Sequence, residues 1–281
     1  MKTTDKNIHI RLALIALASL ALAALPARAV IIASDTFSIT ENRKTGSAVK
    51  GSTTETGTLV WNGSDGWILT GDETNGYATR SSSGTSSLAL PFNFGTYSSS
   101  GDVATIEIRM KAAGGTGDRT FGIAFGNSAT GGNPTTNALV RLRIDPNGGT
   151  WALTSKNSGL TAQDNSPLSG SLADVLGSAY SATTFYTYSI SYNQSTLTVT
   201  DVSINGTSVV SNYVFAASPG NVTAVSFFGQ YPNSSTQIDS FTLSVNATPP
   251  PVPEPAATAL VTALGVFGAI GILRLRLRNR H

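Results

Sequence analysis

The chain is predicted to be all-β: a two-sheet β-sandwich flanked by an N-terminal signal helix and a C-terminal transmembrane helix. Three observations lead there. Apolar residues recur with period two in short runs, and no window carries a long 3.6-residue apolar period. Turn-forming Gly, Ser, Thr and Asn fill the intervals between those runs. About 219 residues, Val30 to Thr248, remain once two terminal segments of different character are set aside, enough to bury a substantial core.

The N-terminal segment comes first. Residues 1–11 are polar and basic, and Leu12 to Leu25 is an uncharged apolar run of fourteen residues, short for a bilayer span. Pro26 ends it, and Ala27-Arg28-Ala29 supplies a small-residue cleavage site. Basic start, short apolar centre and A-x-A site define a signal peptide over 1–29, which sends the chain through the Sec export machinery. Cleavage after Ala29 leaves Val30 as the mature N-terminus.

The strands follow over 30–247. Ala104, Ile106, Ile108 and Met110 alternate with Thr105, Glu107 and Arg109. Phe121, Ile123 and Phe125 alternate with glycine and alanine, and Val140, Leu142 and Ile144 with Arg141 and Arg143. Asp145-Pro146-Asn147-Gly148-Gly149 then turns the chain towards Trp151-Ala152-Leu153. Ser171 to Leu176 is the one stretch that fits a helical turn. Tyr186, Tyr188, Ile190 and Tyr192 alternate with Thr187, Ser189 and Ser191. Asn193-Gln194-Ser195 separates them from a strand beginning at Leu197. Asn205-Gly206 tolerates the positive φ angles of a type I′ hairpin between Val202-Ser203-Ile204 and Ser208-Val209-Val210. The apolar phase slips between Leu197/Val199 and Val202/Ile204, which predicts a β-bulge at Thr200-Asp201. Phe241, Leu243 and Val245 close the domain. Charged alternates predict sheets with one buried and one solvated face.

The C-terminal segment is built in three parts. Residues 248–255 hold five prolines and form an extended spacer. Ala256 to Leu273 is eighteen residues without a charge, roughly 27 Å as a helix, against about 30 Å of hydrocarbon. The tail 274–281 carries Arg274, Arg276, Arg278 and Arg280, which the positive-inside rule places in the cytoplasm.

Val252-Pro253-Glu254-Pro255, the apolar span and the arginine cluster together resemble a PEP-CTERM sorting signal, of the kind also labelled ice-binding protein C-terminal. The resemblance covers the last thirty or so residues, with Leu275 and Leu277 interrupting the usual arginine run. It implies a Gram-negative bacterium that makes exopolysaccharide, and recognition of Pro253, Glu254 and Pro255 by an exosortase-type enzyme with a cysteine nucleophile. The span is then a transient inner-membrane anchor, and the product is delivered to the cell surface or extracellular matrix. The strand layout resembles concanavalin A-like jelly rolls of the lectin and laminin-G type. The stretches Thr105 to Lys111, Phe121 to Gly126 and Ile238 to Leu243 carry that resemblance. A parallel β-helix lacks the short fixed repeat it would need.

Charge and composition then limit the chemistry. The whole chain is +2 with 18 Lys/Arg and 16 Asp/Glu, but residues 30–248 hold ten basic and fourteen acidic side chains, a net −4. That argues against nucleic acid as a partner. Both histidines lie at the chain ends and there is no cysteine. The domain therefore has no Ser-His-Asp or Cys-His catalytic set, no His/Cys zinc site and no disulfide. Carboxylate chemistry of the glycosidase or lyase type is the enzymatic alternative. Glu107, which shares a face with Arg109, and the adjacent Asp72-Glu73 do not make the required pair. The expectation is a non-enzymatic structural or carbohydrate-binding module of extracellular polysaccharide. Trp61, Trp67, Trp151 and Tyr231, and beside them Tyr77, are the aromatic candidates for stacking on sugars, weighed against a place in the core. No cofactor is expected. Calcium is the only ion the oxygen-rich loops suggest, at Asp118, Asn127, Asp145, Asn147, Asp164 and Asn165, and these lack EF-hand spacing.

Overall fold

Fifteen strands lie in two antiparallel sheets in the computed structural model, which describes residues 29–73, 75–80, 86–97, 101–112, 120–128, 138–155, 168–229 and 236–246. The signal helix, the transmembrane helix, the Pro253-Glu254-Pro255 motif, the arginine tail, Ala27 and Tyr231 fall outside those residues. Among the described residues, no helix is long and apolar enough to cross a membrane.

The first sheet contains β13 (Thr207–Val214), β12 (Thr198–Ile204), β11 (Tyr186–Asn193), β6 (Val103–Lys111), β15 (Gln237–Asn246), β4 (Tyr77–Arg80) and β3 (Trp67–Thr70), in that order. β1 (Ala29–Asp35) also pairs with β15. The second sheet runs β10 (Ser169–Ser171), β9 (Thr150–Ser155), β8 (Ala138–Asp145), β7 (Phe121–Gly126), β14 (Ala224–Gly229), β5 (Ser86–Pro91) and β2 (Asn62–Gly63). This is the all-β, two-sheet sandwich of concanavalin A-like, jelly-roll layout that the strand pattern predicts.

Alternation sets the core. On β6, Ala104, Ile106, Ile108 and Met110 are buried while Glu107 and Arg109 are exposed. Tyr188 of β11 meets Phe121 of β7 edge-on, with ring centroids 5.3 Å apart. Tyr192 of β11 meets Phe125 of β7 at 5.7 Å. These contacts fix which side of each sheet faces the other. Away from the core, the first sheet shows hydroxyl pairs, Thr105 with Ser191 and Ser189 with Ser203, each at 2.8 Å. Such cross-strand pairs satisfy polar side chains within the sheet surface.

The turns follow their chemistry. Asn205 and Gly206 have φ of 50° and 81°, as a type I′ hairpin requires. The bulge falls at Thr200: Ser191 opposes Asp201 and Tyr192 opposes Val199, so Thr200 has no partner across the ladder. The helical turn is α1 (Leu172–Leu176), capped by the Ser171 hydroxyl, which accepts from the Ala173 and Asp174 amides. Gly177 ends it in the left-handed region. Leu197 departs from expectation. It lies in the turn before β12 with φ of 55°, and its amide-to-carbonyl geometry holds Phe215, whose N–H donates to the Leu197 carbonyl at 2.9 Å.

The expectation of one solvated face per sheet holds for the first sheet and fails for the second. On β7 every residue is buried. Gly122 explains the close packing there. A Cβ on it would fall 2.0 Å from the Leu142 carbonyl oxygen and 2.6 Å from Cζ of Phe228. Phe228, directly across the ladder from Gly122, occupies the volume that a side chain would claim. We therefore expect Gly122→Ala to destabilise the domain by about 1–3 kcal/mol through overpacking, read as a lower urea midpoint at unchanged slope. A midpoint equal to wild type would contradict this packing.

Candidate functional site

Two places gather polar side chains that the core does not require. The first lies where β1 leaves the sheet. Asp35 ends β1 and is fully buried. Its Oδ1 accepts from Nη1 of Arg43 at 2.9 Å and from the Phe37 amide at 2.7 Å. Its Oδ2 accepts from Nη2 of Arg43 at 3.0 Å and from Nε1 of Trp61 at 2.7 Å. Arg43 also donates to Glu55 Oε1 at 3.2 Å. Glu55 in turn accepts from the Thr36 amide and hydroxyl and from the Ser38 amide.

These two carboxylates are driven in opposite directions. Burial raises the pKa of Asp35, against the opposing pull of Arg43, Trp61 and the Phe37 amide. Burial alone would also raise Glu55, but its hydrogen bonds from Thr36 and Ser38 together hold it below the usual value. Both oxygens of Asp35 are committed to protein donors, and Arg43 stands between the two acids. The cluster thus fastens the end of β1 to Trp61 and presents no pair of free carboxylates to a substrate. None of Asp35, Arg43 or Glu55 was singled out by sequence pattern, because their partners lie up to 26 residues apart.

The second place is the outward face of the second sheet. Cross-strand register lays out one row: Thr154 on β9, Arg141 on β8, Ala124 on β7, Ser226 on β14, Ala89 on β5 and Asn62 on β2. The neighbouring row holds Arg143, Gly122, Phe228 and Ser87. Ala124 and Ala89 in the first row, and Gly122, Phe228 and Ser87 in the second, are buried. Six strands at about 4.8 Å spacing make the first row roughly 24 Å long. Ser226, Asn62 and Arg143 keep partial exposure along it.

Arg141 is the unusual member. Sequence pattern predicts a solvated strand face for Arg141 and Arg143, yet Arg141 is only 4% exposed. Its Nε donates to the Thr154 hydroxyl at 3.0 Å, and its guanidinium carbon stands 5.2 Å from the Phe228 ring centroid. Arg143 is paired instead with Asp145, at 4.0 Å. Among the described residues no carboxylate pairs with Arg141. Burial, with Arg143 beside it, pulls the Arg141 pKa down to about 10, so the group stays charged at neutral pH.

The aromatic candidates go elsewhere. Trp61 and Trp67 are each 1% exposed. Trp61 lies 5.1 Å from Phe241 of the first sheet, and Trp67 lies 5.1 Å from Phe227 of the second. The Nε1 of Trp67 donates to the Ser86 hydroxyl at 3.0 Å. Trp151 is buried over Gly170, where a Cβ would come within 2.8 Å of its Nε1. An indole sealed in the core offers no face to a sugar, which corrects the stacking expectation for these three. Tyr77 is half-buried on β4. Asp145 folds back on its own turn, accepting from the Asn147 and Gly148 amides at 3.1 and 2.9 Å. Asn127 is exposed beyond β7; Asp118, Asp164 and Asn165 lie outside the described residues. Glu107 is not the partner of Arg109, which binds Asp239 at 2.5 Å and stands over Phe185. Ala29 opens β1 opposite Asn246 of β15.

No family model matches the chain, and no curated protein matches it. Solved structures with a similar backbone include a sialidase from Trypanosoma rangeli in complex with sialic acid, at 10% identity and TM-score 0.47. The match covers 77% of this chain but 31% of the sialidase, so the chain spans under a third of that protein's length. The carbohydrate recognition domain of Emp47p matches at 13% identity and TM-score 0.48, over 79% of this chain and 98% of that one. A carbohydrate esterase from Shiga toxin-encoding bacteriophage phi24B matches at 16% identity and TM-score 0.47, over 78% and 100%.

The Glu55 hydrogen bonds have a measurable consequence. An acid whose folded pKa is lowered contributes stability above its unfolded pKa and loses it as pH falls through the folded value. Glu55→Gln should lower the melting temperature at pH 7. The gap to wild type should hold down to about pH 4.5, the ordinary value for Glu, and close below it. A gap independent of pH, followed by thermal melts across that range, would show that Glu55 acts other than as a charged acceptor.

Proposed function

We propose that the chain is an exported, non-catalytic protein whose sandwich binds extracellular polysaccharide along the outward face of the second sheet. The observation that carries this reading is a set of polar side chains left partly exposed on that face. They are Arg143, Ser226 and Asn62. Side chains of this kind bond sugar hydroxyls.

The chain ends support the setting. On this reading the signal peptide directs Sec export, and the Pro253-Glu254-Pro255 motif is read by an exosortase-type enzyme. The span at 256–273 then anchors the chain transiently in the inner membrane of a Gram-negative bacterium, and the sandwich is delivered to the surface or matrix. The net −4 of residues 30–248 fits a protein that avoids nucleic acid.

Two experiments test this. The full chain, purified in mild detergent, is run by affinity electrophoresis through gels containing dextran, cellulose derivatives, polygalacturonate or alginate. Retardation in at least one gel, with no release of reducing ends, is the expected result. Release of reducing ends would replace binding by glycosidase or lyase activity, and migration unchanged in every gel would leave only a scaffold role. For sorting, Pro253→Ala, Glu254→Ala and Pro255→Ala are combined and the product is followed by fractionation and mass spectrometry. The triple variant should accumulate with its C-terminal span intact in the inner membrane. Wild-type processing and location would remove the exosortase step.

A further inference from the structure

We infer that one end of the sandwich is a membrane-facing surface, which rests on the phospholipid headgroup layer while the chain is anchored. The inference relies on the anchoring role given to residues 256–273 above and names the surface that the anchored domain presents to lipid.

Strand register defines this end. One row crosses the first sheet: Tyr213 on β13, Val199 on β12, Tyr192 on β11, Ala104 on β6, Val245 on β15 and Val30 on β1. Six strands at about 4.8 Å spacing make it roughly 24 Å wide. One residue further out, Val214 stands opposite Thr198 and Asn246 opposite Ala29. The second sheet ends at the same place. Tyr192 packs on Phe125, and the carbonyl of the following Gly126 accepts from the Thr223 amide at 2.8 Å. Gln194, in the turn beyond β11, accepts from the Val222 amide at 2.7 Å through Oε1. That bond ties the turn to the segment that leads into β14.

Three observations make this end the one that meets lipid. First, four large apolar side chains are exposed among the described residues, and three of them lie here: Val30 and Ile31, each 53% exposed, and Val214, at 60%. Exposed apolar side chains gathered in one place mark an interaction surface, whereas scattered ones are ordinary. Tyr97 and Tyr213, half-buried at the same end, each join an apolar ring to a polar tip, the combination that collects at membrane–water interfaces. Second, the two ends of the sandwich differ in charge. Residues 92–97, 126–128, 193–199, 213–224 and 246 contain no charged side chain, and Asp102, beside the outermost row, is only 5% exposed. The opposite end carries Arg109, Lys111, Arg143, Asp145, Asp174 and Asp239. Bringing charged groups towards hydrocarbon is costly, so the uncharged end is the one that lipid accepts. With cleavage after Ala29, the one charge at this end is the α-amino group of Val30, a cation suited to anionic headgroups. Third, the chain leaves the domain here. β15 ends at Asn246, and nine residues separate it from Ala256, where the expected span begins. They bridge at most about 36 Å, which keeps the domain within that distance of the lipid surface.

The chain contains no cysteine, so single cysteines can be labelled cleanly. Ala217→Cys, exposed at this end, and Asp174→Cys, exposed at the other, are each labelled with a fluorophore. The full chain is reconstituted into phosphatidylethanolamine and phosphatidylglycerol vesicles, with or without lipid that bears a nitroxide on its headgroup. Nitroxide lipid should quench the label at position 217 at least threefold more than the label at position 174. Ile31→Ser combined with Val214→Ser should about halve the quenching at position 217 and leave the melting temperature unchanged, because both side chains are exposed. Equal quenching at the two labels, in a chain that resists extraction by alkaline carbonate, would overturn the inference and leave the anchor standing. Quenching at position 217 undiminished by the two serines would also overturn it. A signal at position 217 that follows the protein-to-lipid ratio, and is indifferent to nitroxide lipid, would assign this end to a second copy of the chain and overturn it as well. Extraction of the chain by carbonate would remove the anchor and the inference together.

Discussion

The aromatic layer between the two sheets is the contact on which the rest of the molecule depends. With no cysteine in the chain, the sheets are joined by packing alone. Tyr188 against Phe121, Tyr192 against Phe125, Trp67 against Phe227 and Trp61 against Phe241 form that layer. Each tryptophan buries about 150–250 Å², which at about 25 cal/mol per Å² corresponds to about 4–6 kcal/mol before entropy is counted. The indole N–H groups must be satisfied at the same time, and Asp35 and Ser86 accept them. Asp35 is then buried, which demands Arg43, and Arg43 draws in Glu55. The polar cluster at the beginning of the domain thus follows from placing Trp61 in the core.

The same layer makes the two outer surfaces unlike each other. The first sheet turns Glu107, Arg109 and a set of paired hydroxyls outward, an ordinary solvated surface. The second turns Gly122, Ala124, Ala224 and Ala89 outward, and they are buried. Phe228 packs among them against Gly122, and the guanidinium of Arg141 stands beside its ring.

Legibility differed between elements for a physical reason. β6, β8, β11 and β15 were readable because one face of each carries large apolar side chains at period two. β7 was readable as well, with Gly and Ala on the other face. The Asn205-Gly206 hairpin and the Thr200 bulge were readable because both are local: positive φ at two positions, and one residue too many between apolar pairs. β1, β4, β5 and β14 were not singled out. In β5 the run Ser86–Pro91 is buried on both faces and mixes Ser, Leu and Ala, so alternation gives no signal. Arg141 was visible as an alternate on β8, yet its burial depends on Phe228, 87 positions later in the chain. Trp61, Trp67 and Trp151 sit near turn residues, but their orientation into the core is set by strands far away in sequence.

The sequence carries the two-sheet class, the hairpin, the bulge and the helical turn, because side-chain alternation and backbone φ preferences act within a few residues. It also determined the absence of His and Cys chemistry from residues 30–248, since a residue type that is missing cannot be supplied by folding. Which face of each sheet meets water, where the tryptophans point and which arginines lack a carboxylate partner among the described residues are settled by the assembled fold. Those outcomes depend on strands brought together from opposite ends of the domain, where burial and charge pairing are properties of the assembled neighbours.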